Sequence, residues 1–227
     1  MPPFDAFQPP ALAVVRTPAK LSGETFAMLI NLSGRRRFTS QRLVLYAVLT
    51  AQGRHQSAAT ARDALKLFSD AHEALVNGNE QVPGVFCDEL EQVYFGKEQN
   101  ERQIQAFITL ATRTLDALDA GTRQATALLA ELVQGATPLL AILNHITQVY
   151  EELSKQHAKQ VKKQLTGIMT DIETIARQAR MVSFNAQIVA ARAGAVGREF
   201  SVVAGVLSDI TREIDELVRA ALENSAA

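Results

Sequence analysis

The stretch Ala190-Ala191-Arg192-Ala193-Gly194-Ala195-Val196-Gly197-Arg198-Glu199-Phe200-Ser201-Val202-Val203-Ala204 decides the fold. Apolar residues run up to a glycine-rich point and resume beyond it in a new phase, as in an antiparallel helical hairpin. Before the turn, Val161, Leu165, Ile168, Ile172, Ile175, Ala179, Val182, Ala186, Val189 and Ala193 are separated by alternating gaps of four and three. After it, Val196, Phe200, Val203, Leu207, Ile210, Ile214, Leu217 and Ala221 keep the same alternation. Two strict heptad seams facing a turn predict a left-handed antiparallel coiled coil. Ile188, Val202 and Val206 remain on its flanks, and pairing two hairpins into a four-helix bundle would bury them. A two-fold homodimer is the simplest such assembly.

Outward from the hairpin, the chain predicts an all-α, elongated helical bundle. It has 227 residues, of which 47% are hydrophobic and only 6% aromatic, a balance that favours closely packed helices. A net charge of −1 provides no field for nucleic acid, and basic residues are interleaved with acidic ones. The single Cys87 excludes an internal disulfide framework and fits a reducing, cytoplasmic compartment. His55, His72, His145 and His157 are too scattered for a metal site, and no cofactor motif occurs. No run of about 18 apolar residues is evident, so no membrane span is expected.

Residues 1–20 hold five prolines and read as a disordered tail. A helix is expected over 21–51, opened by Ser22 as cap, and a second over 56–76. A third spans about 85–119 with a break near Phe95-Gly96. A fourth runs from about Thr122 to Gly194, with Pro138 either kinking it or restarting it. A fifth covers 198–222. Residues 21–155 would form one bundle and 156–227 the hairpin, with its tip near 194–197. Cys87 reads as a small buried hydrophobe and His145 as a core or seam histidine.

The hairpin residues resemble the cytoplasmic signalling tip of methyl-accepting chemotaxis receptors. Gln178, Asn185, Ala186, Ala190 to Gly194, Gly197, Arg198, Phe200 and Val202 to Ala204 stand at the tip's offsets without insertion. In that family the tip binds a CheA-type histidine kinase and a CheW-type adaptor. The resemblance implies contacts near Met181, Asn185, Arg192 and Arg198. Arg177 replaces a family Phe, Val189, Ala195 and Val206 replace Glu, and Glu199 replaces Gly. Kinase coupling is therefore left open beside a non-sensing scaffold or competitor role. No methylation is expected, because Glu151-Glu152 has non-matching flanks.

In the first helix, the seam Ala27, Ile30, Gly34, Arg37, Gln41, Val44, Val48 is apolar at both ends and polar in the middle. An arginine on a buried seam needs a partner, either an acidic residue on another helix or a bound anion. Gly34 in mid-helix suggests a close helix approach. The segment Ile30 to Arg42 resembles the first helix of the PilJ-type sensor domain of type IV pili transducers and nitrate sensors. That resemblance implies a small oxyanion such as nitrate held by Arg37, beside Arg36 and Gly34. The alternative is a solvated basic turn or ion pairing within the bundle. No nucleophile, base or acid constellation points to an enzyme.

Overall fold

The computed structural model describes residues 21–54 and 56–226, so the expected disordered tail lies outside the described residues. Among these residues the chain is all-α, without strands. Its elements are α1 (Gly23–Ala51), α2 (Gln56–Asn77), α3 (Asp88–Phe95), α4 (Asn100–Asp119), α5 (Ala125–Arg192), a 3₁₀ turn (Gly194–Gly197) and α6 (Arg198–Ala226). They form two compact units, one ending at Ser154 and the other beginning at Lys155.

The expected caps and breaks have clear local causes. Ser22 Oγ accepts from the Thr25 amide at 3.1 Å and opens α1. The break after Phe95 separates α3 from α4, because the backbone turns extended at Gly96. Across the break, the buried Asn100 amide donates to the Val93 carbonyl at 2.8 Å. Pro138 neither starts a new helix nor ends one, and it lies inside α5. It removes only one backbone donor, while Leu132, Leu139 and Leu143 seat that part of α5 in the core.

In the first unit, α1, α2, α3, α4 and the opening turns of α5 enclose one core. Phe26, Leu29, Leu43, Phe68, Leu75, Leu90, Ile104, Leu115, Leu132, Leu143 and Ile146 are all buried in it. The buried line of α1 is Phe26, Leu29, Ser33, Arg36, Ser40, Leu43, Ala47 and Thr50. This corrects the expected seam by one residue. The period is right but the face is turned, because the true line carries Ser, Arg and Thr where hydropathy looks for apolar side chains.

Those polar residues form a layer through the bundle. Arg36 is fully buried. Its Nη1 donates to His72 Nδ1 on α2 at 3.1 Å. Its Nη2 donates to Ser33 Oγ at 3.2 Å. Ser33 shares a 2.8 Å hydrogen bond with Thr147 of α5, and Thr147 donates to the Leu143 carbonyl at 2.7 Å. The guanidinium also lies over the Tyr94 ring of α3, 5.7 Å from its centroid. Since arginine only donates, His72 accepts through Nδ1 and its proton sits on Nε2. That Nε2 is 3.6 Å from Glu101 Oε1 on α4. Burial first, and the Arg36 charge second, push His72 down to about 3. Burial and the neighbouring Tyr94 push the Tyr150 hydroxyl well above its ordinary value.

In the second unit the hairpin forms, but its arms meet along a different line from the one expected. The buried residues are Ala176, Ser183, Ala190, Gly197, Ala204, Thr211 and Val218, each seven from the next. Most large side chains of the expected seams are exposed, among them Leu165, Ile168, Ile175, Val182, Val189, Phe200, Val203, Ile210 and Leu217. A four-residue turn holds the arms close, and near it only Ala, Ser, Gly and Thr lie between them, with Val218 at the far end. Gly194 (φ 62°) closes α5 in the left-handed region. At Gly197 an added Cβ would collide with the Ala190 carbonyl oxygen, so only glycine fits. Arg180 pairs with Asp215 across the arms and donates to the Thr211 carbonyl at 3.2 Å.

Two further expectations change. Helix α5 contains an 18-residue window of mean hydropathy 1.6, long and apolar enough by length and composition to cross a membrane. Only 22% of that window is buried. His145 is exposed, while His72 is the core histidine.

Two consequences can be measured. A folded-state pKa below the unfolded value makes neutral His72 a stabilising group above pH 6.5, and its contribution is lost as pH falls towards 3. The slope approaches about 1.4 kcal/mol per pH unit. His72→Gln keeps an acceptor for Arg36 but does not titrate. The stability difference between wild type and this variant should shrink as pH drops from 6.5 to 4, and parallel curves would refute the assignment. Separately, Gly197→Ala should weaken the hairpin by about 1–3 kcal/mol, read as faster amide exchange around 190–204. Gly205→Ala, where an added Cβ meets nothing within 4 Å, should stabilise α6 by up to about 1 kcal/mol.

Candidate ligand groove and hairpin tip

Turning the α1 seam by one residue separates the three residues first grouped together. Arg36 points into the core. Arg37, one position on, is swung by about 100° to the surface between α1 and α5. There it is half-buried, and its Nη1 donates to Asn144 Oδ1 of α5 at 3.2 Å. Gly34 lies one turn earlier on the same side. An added Cβ at Gly34 would meet only Arg37 Nη2, at 3.6 Å. Gly34 therefore opens space beside the guanidinium and does not mark a close helix approach.

Gly34 and Arg37 line a groove of about 780 Å³, with Phe38, Gln41, Arg42, Leu45, Tyr46, Leu140 and Asn144. The Arg42 guanidinium lies 5.7 Å from the Tyr46 ring centroid. Among the described residues, the lining contains no carboxylate, histidine or thiol. Among the described residues, neither Arg37 nor Arg42 pairs with an acidic side chain. A guanidinium aimed by one hydrogen bond keeps a fork of donors for a planar anion. Such a lining can bind and orient a ligand with an anionic head.

Sequence reasoning passed over His72, Asn144 and the apolar wall of this groove. His72 follows Phe68 by four and precedes Leu75 by three, so the helical period of α2 carried a signal for it. Leu140 and Asn144 lie in the stretch 139–144, which resembles the end of the PilJ-type domain, but nothing in it marks a place in this groove, which depends on how α5 lies against α1. Cys87 is half-buried, and burial pushes its thiol up.

At the hairpin, Met181, Asn185, Arg192 and Arg198 are all exposed. Met181, Asn185 and Arg192 share one stripe of α5 with Ile188, at spacings of four, three and four. This stripe lies on the side opposite Ser183 and Ala190, away from the other arm. Arg198 opens α6 on that other arm. Two of the residues that depart from the receptor pattern, Val189 and Val206, are exposed and apolar, and Val196 in the turn is 90% exposed. Arg177 forms an exposed pair with Glu173 at 2.8 Å, of the kind worth about 0.3–0.5 kcal/mol.

Residues 133–226 match the family model of the methyl-accepting chemotaxis protein (MCP) signalling domain. No curated protein and no solved structure matches the chain.

Proposed function

We propose that the protein is a chemotaxis-receptor-like signal transducer, acting in the cytoplasm as a homodimer. The single observation that carries this reading is the match of 133–226 to the MCP signalling domain, joined to a hairpin closed by Gly194 and Gly197. The first unit would act as a PilJ-like sensor bundle that binds a small oxyanion such as nitrate at Arg37, beside Gly34. The stripe Met181, Asn185 and Arg192, with Arg198, would contact a CheA-type kinase and a CheW-type adaptor. Helix α5 supplies Asn144 to the groove and Asn185 to the tip, which supports a relay along one element. Ligand binding drives such a relay only by favouring one helix arrangement over another.

The exposed large side chains support the homodimer. Each strip sits one residue before its own arm's buried line, near Ile175 and Val182 on one arm and Val203 and Ile210 on the other. Right-handed winding on antiparallel arms brings both strips to the same side of the hairpin. A second hairpin laid on that side would bury both at once. A specific observation also favours a second reading: Val189, Ala195 and Val206 stand where the receptors carry glutamate. A tip changed there fits a scaffold or competitor in chemotaxis or pili pathways that binds partners without driving a kinase.

Ile175→Glu with Val182→Glu should weaken the dimer by on the order of 100-fold or more, since each large side chain contributes about 1.5–3 kcal/mol when buried. Sedimentation equilibrium reads this, and unchanged association would remove the hairpin face as the interface. Calorimetry should show nitrate binding to wild type and its loss in Arg37→Ala; no heat in wild type would end the nitrate-sensing reading. Pull-down with CheA and CheW separates the transducer, which binds and modulates the kinase, from the scaffold, which binds alone.

A further inference from the structure

The groove beside Arg37 is larger and more apolar than an inorganic anion requires. Its volume of about 780 Å³ falls within the roughly 300–1,000 Å³ range of sites for organic ligands. Nitrate would meet Arg37 and leave the rest of the groove in water. Phe38 and Leu45 are 62% and 55% exposed there. With Leu140 and the Tyr46 ring they form an apolar wall next to two guanidinium groups. Phe38 follows Arg37 directly, and Leu45 lies two turns further along α1, so the wall runs lengthwise from the charged end. Asn144 accepts from Arg37 through Oδ1. Its amide N–H groups are then available for a second ligand oxygen.

We infer that this groove takes an amphiphilic carboxylate, an aromatic or medium-chain aliphatic acid. Its carboxylate sits between Arg37 and Asn144, and its hydrocarbon body covers Phe38, Leu45 and Leu140. The inference rests on the reading of Arg37 as an anion site and names the ligand class of that site. The physical logic is a division of labour. The guanidinium fork orients one planar head, and affinity comes from apolar area removed from water. Arg42, lying over Tyr46, adds a second positive charge without narrowing the groove.

The test is calorimetry on the full chain with four probes below their micelle concentrations: nitrate, acetate, benzoate and octanoate. A fully buried methylene is worth about fourfold in affinity, so even a half-covered chain should bind octanoate at least about tenfold more tightly than acetate. Arg37→Ala should weaken octanoate and benzoate by at least about tenfold, the loss expected for a charge-assisted hydrogen bond. Phe38→Ser should weaken octanoate and leave any acetate binding unchanged. Nitrate binding as tightly as octanoate, or affinity independent of chain length, would overturn the amphiphilic ligand while leaving Arg37 an anion site. Absence of heat with all four probes would overturn both. A ligand-independent Phe38→Cys cross-link between copies, in a Cys87→Ser background, would assign the groove to a second chain and also overturn the inference.

Discussion

Arg36 holds a permanent positive charge where water is excluded, and the arrangement of the first unit follows from meeting that charge. Among the described residues no carboxylate touches it. It is met by a neutral imidazole, a hydroxyl and the face of a tyrosine, contributed by three different helices, with Glu101 behind the imidazole on α4. Arg36 Nε and His72 Nε2 are buried without a hydrogen-bond partner. Groups left in this state cost free energy, and removing any remaining partner would leave a buried charge still worse compensated. The layer thus fixes the rotation of α1 against its neighbours more sharply than an apolar core would. Apolar side chains tolerate small slips, whereas directed hydrogen bonds at 2.8 to 3.2 Å do not.

The second unit obeys a simpler constraint, the distance between two arms joined by a four-residue turn. Ala, Ser, Gly and Thr fill the line between them, with Val218 at its far end, so most large residues lie elsewhere. They lie to the side, and they are the surface the hairpin offers to anything else. Buried and offered faces differ by one residue in the sequence, Ile175 against Ala176 and Val182 against Ser183. A chain that exchanged these neighbours would keep the same heptad period but put large side chains where this pair of arms holds small ones.

Helix content, the tip at Gly194–Gly197, the break at Phe95 and the cap at Ser22 were all readable from sequence. Each depends on local chemistry: a left-handed glycine, a side-chain cap, a lost helical period. What was not readable was phase. In α1 the expected seam fell one residue late, and in the hairpin one residue early. The cause is common to both. Hydropathy assigns the inside to the largest apolar residues, but these two interiors are built from a charge network and from small side chains. The Arg37 groove was half legible. A guanidinium beside Gly34 could be seen in the sequence, whereas Asn144 and Leu140 reach it only through the packing of α5 on α1.

The one-residue offset has a mechanical consequence. Arg36 and Arg37 are consecutive, so the core layer and the groove lie at the same height on α1, facing different ways. On α5 the matching residues are Thr147 and Asn144, one helical turn apart. Ser33–Thr147 and Arg37–Asn144 are therefore two hydrogen bonds between the same pair of helices, one inside and one at the surface. A carboxylate bridging Arg37 and Asn144 would reset the outer contact and leave the inner bond as it is. Helix α5 could then turn or tilt about Thr147, which the Arg36 network holds in place. In the proposed relay the polar layer is the pivot and the groove is the handle.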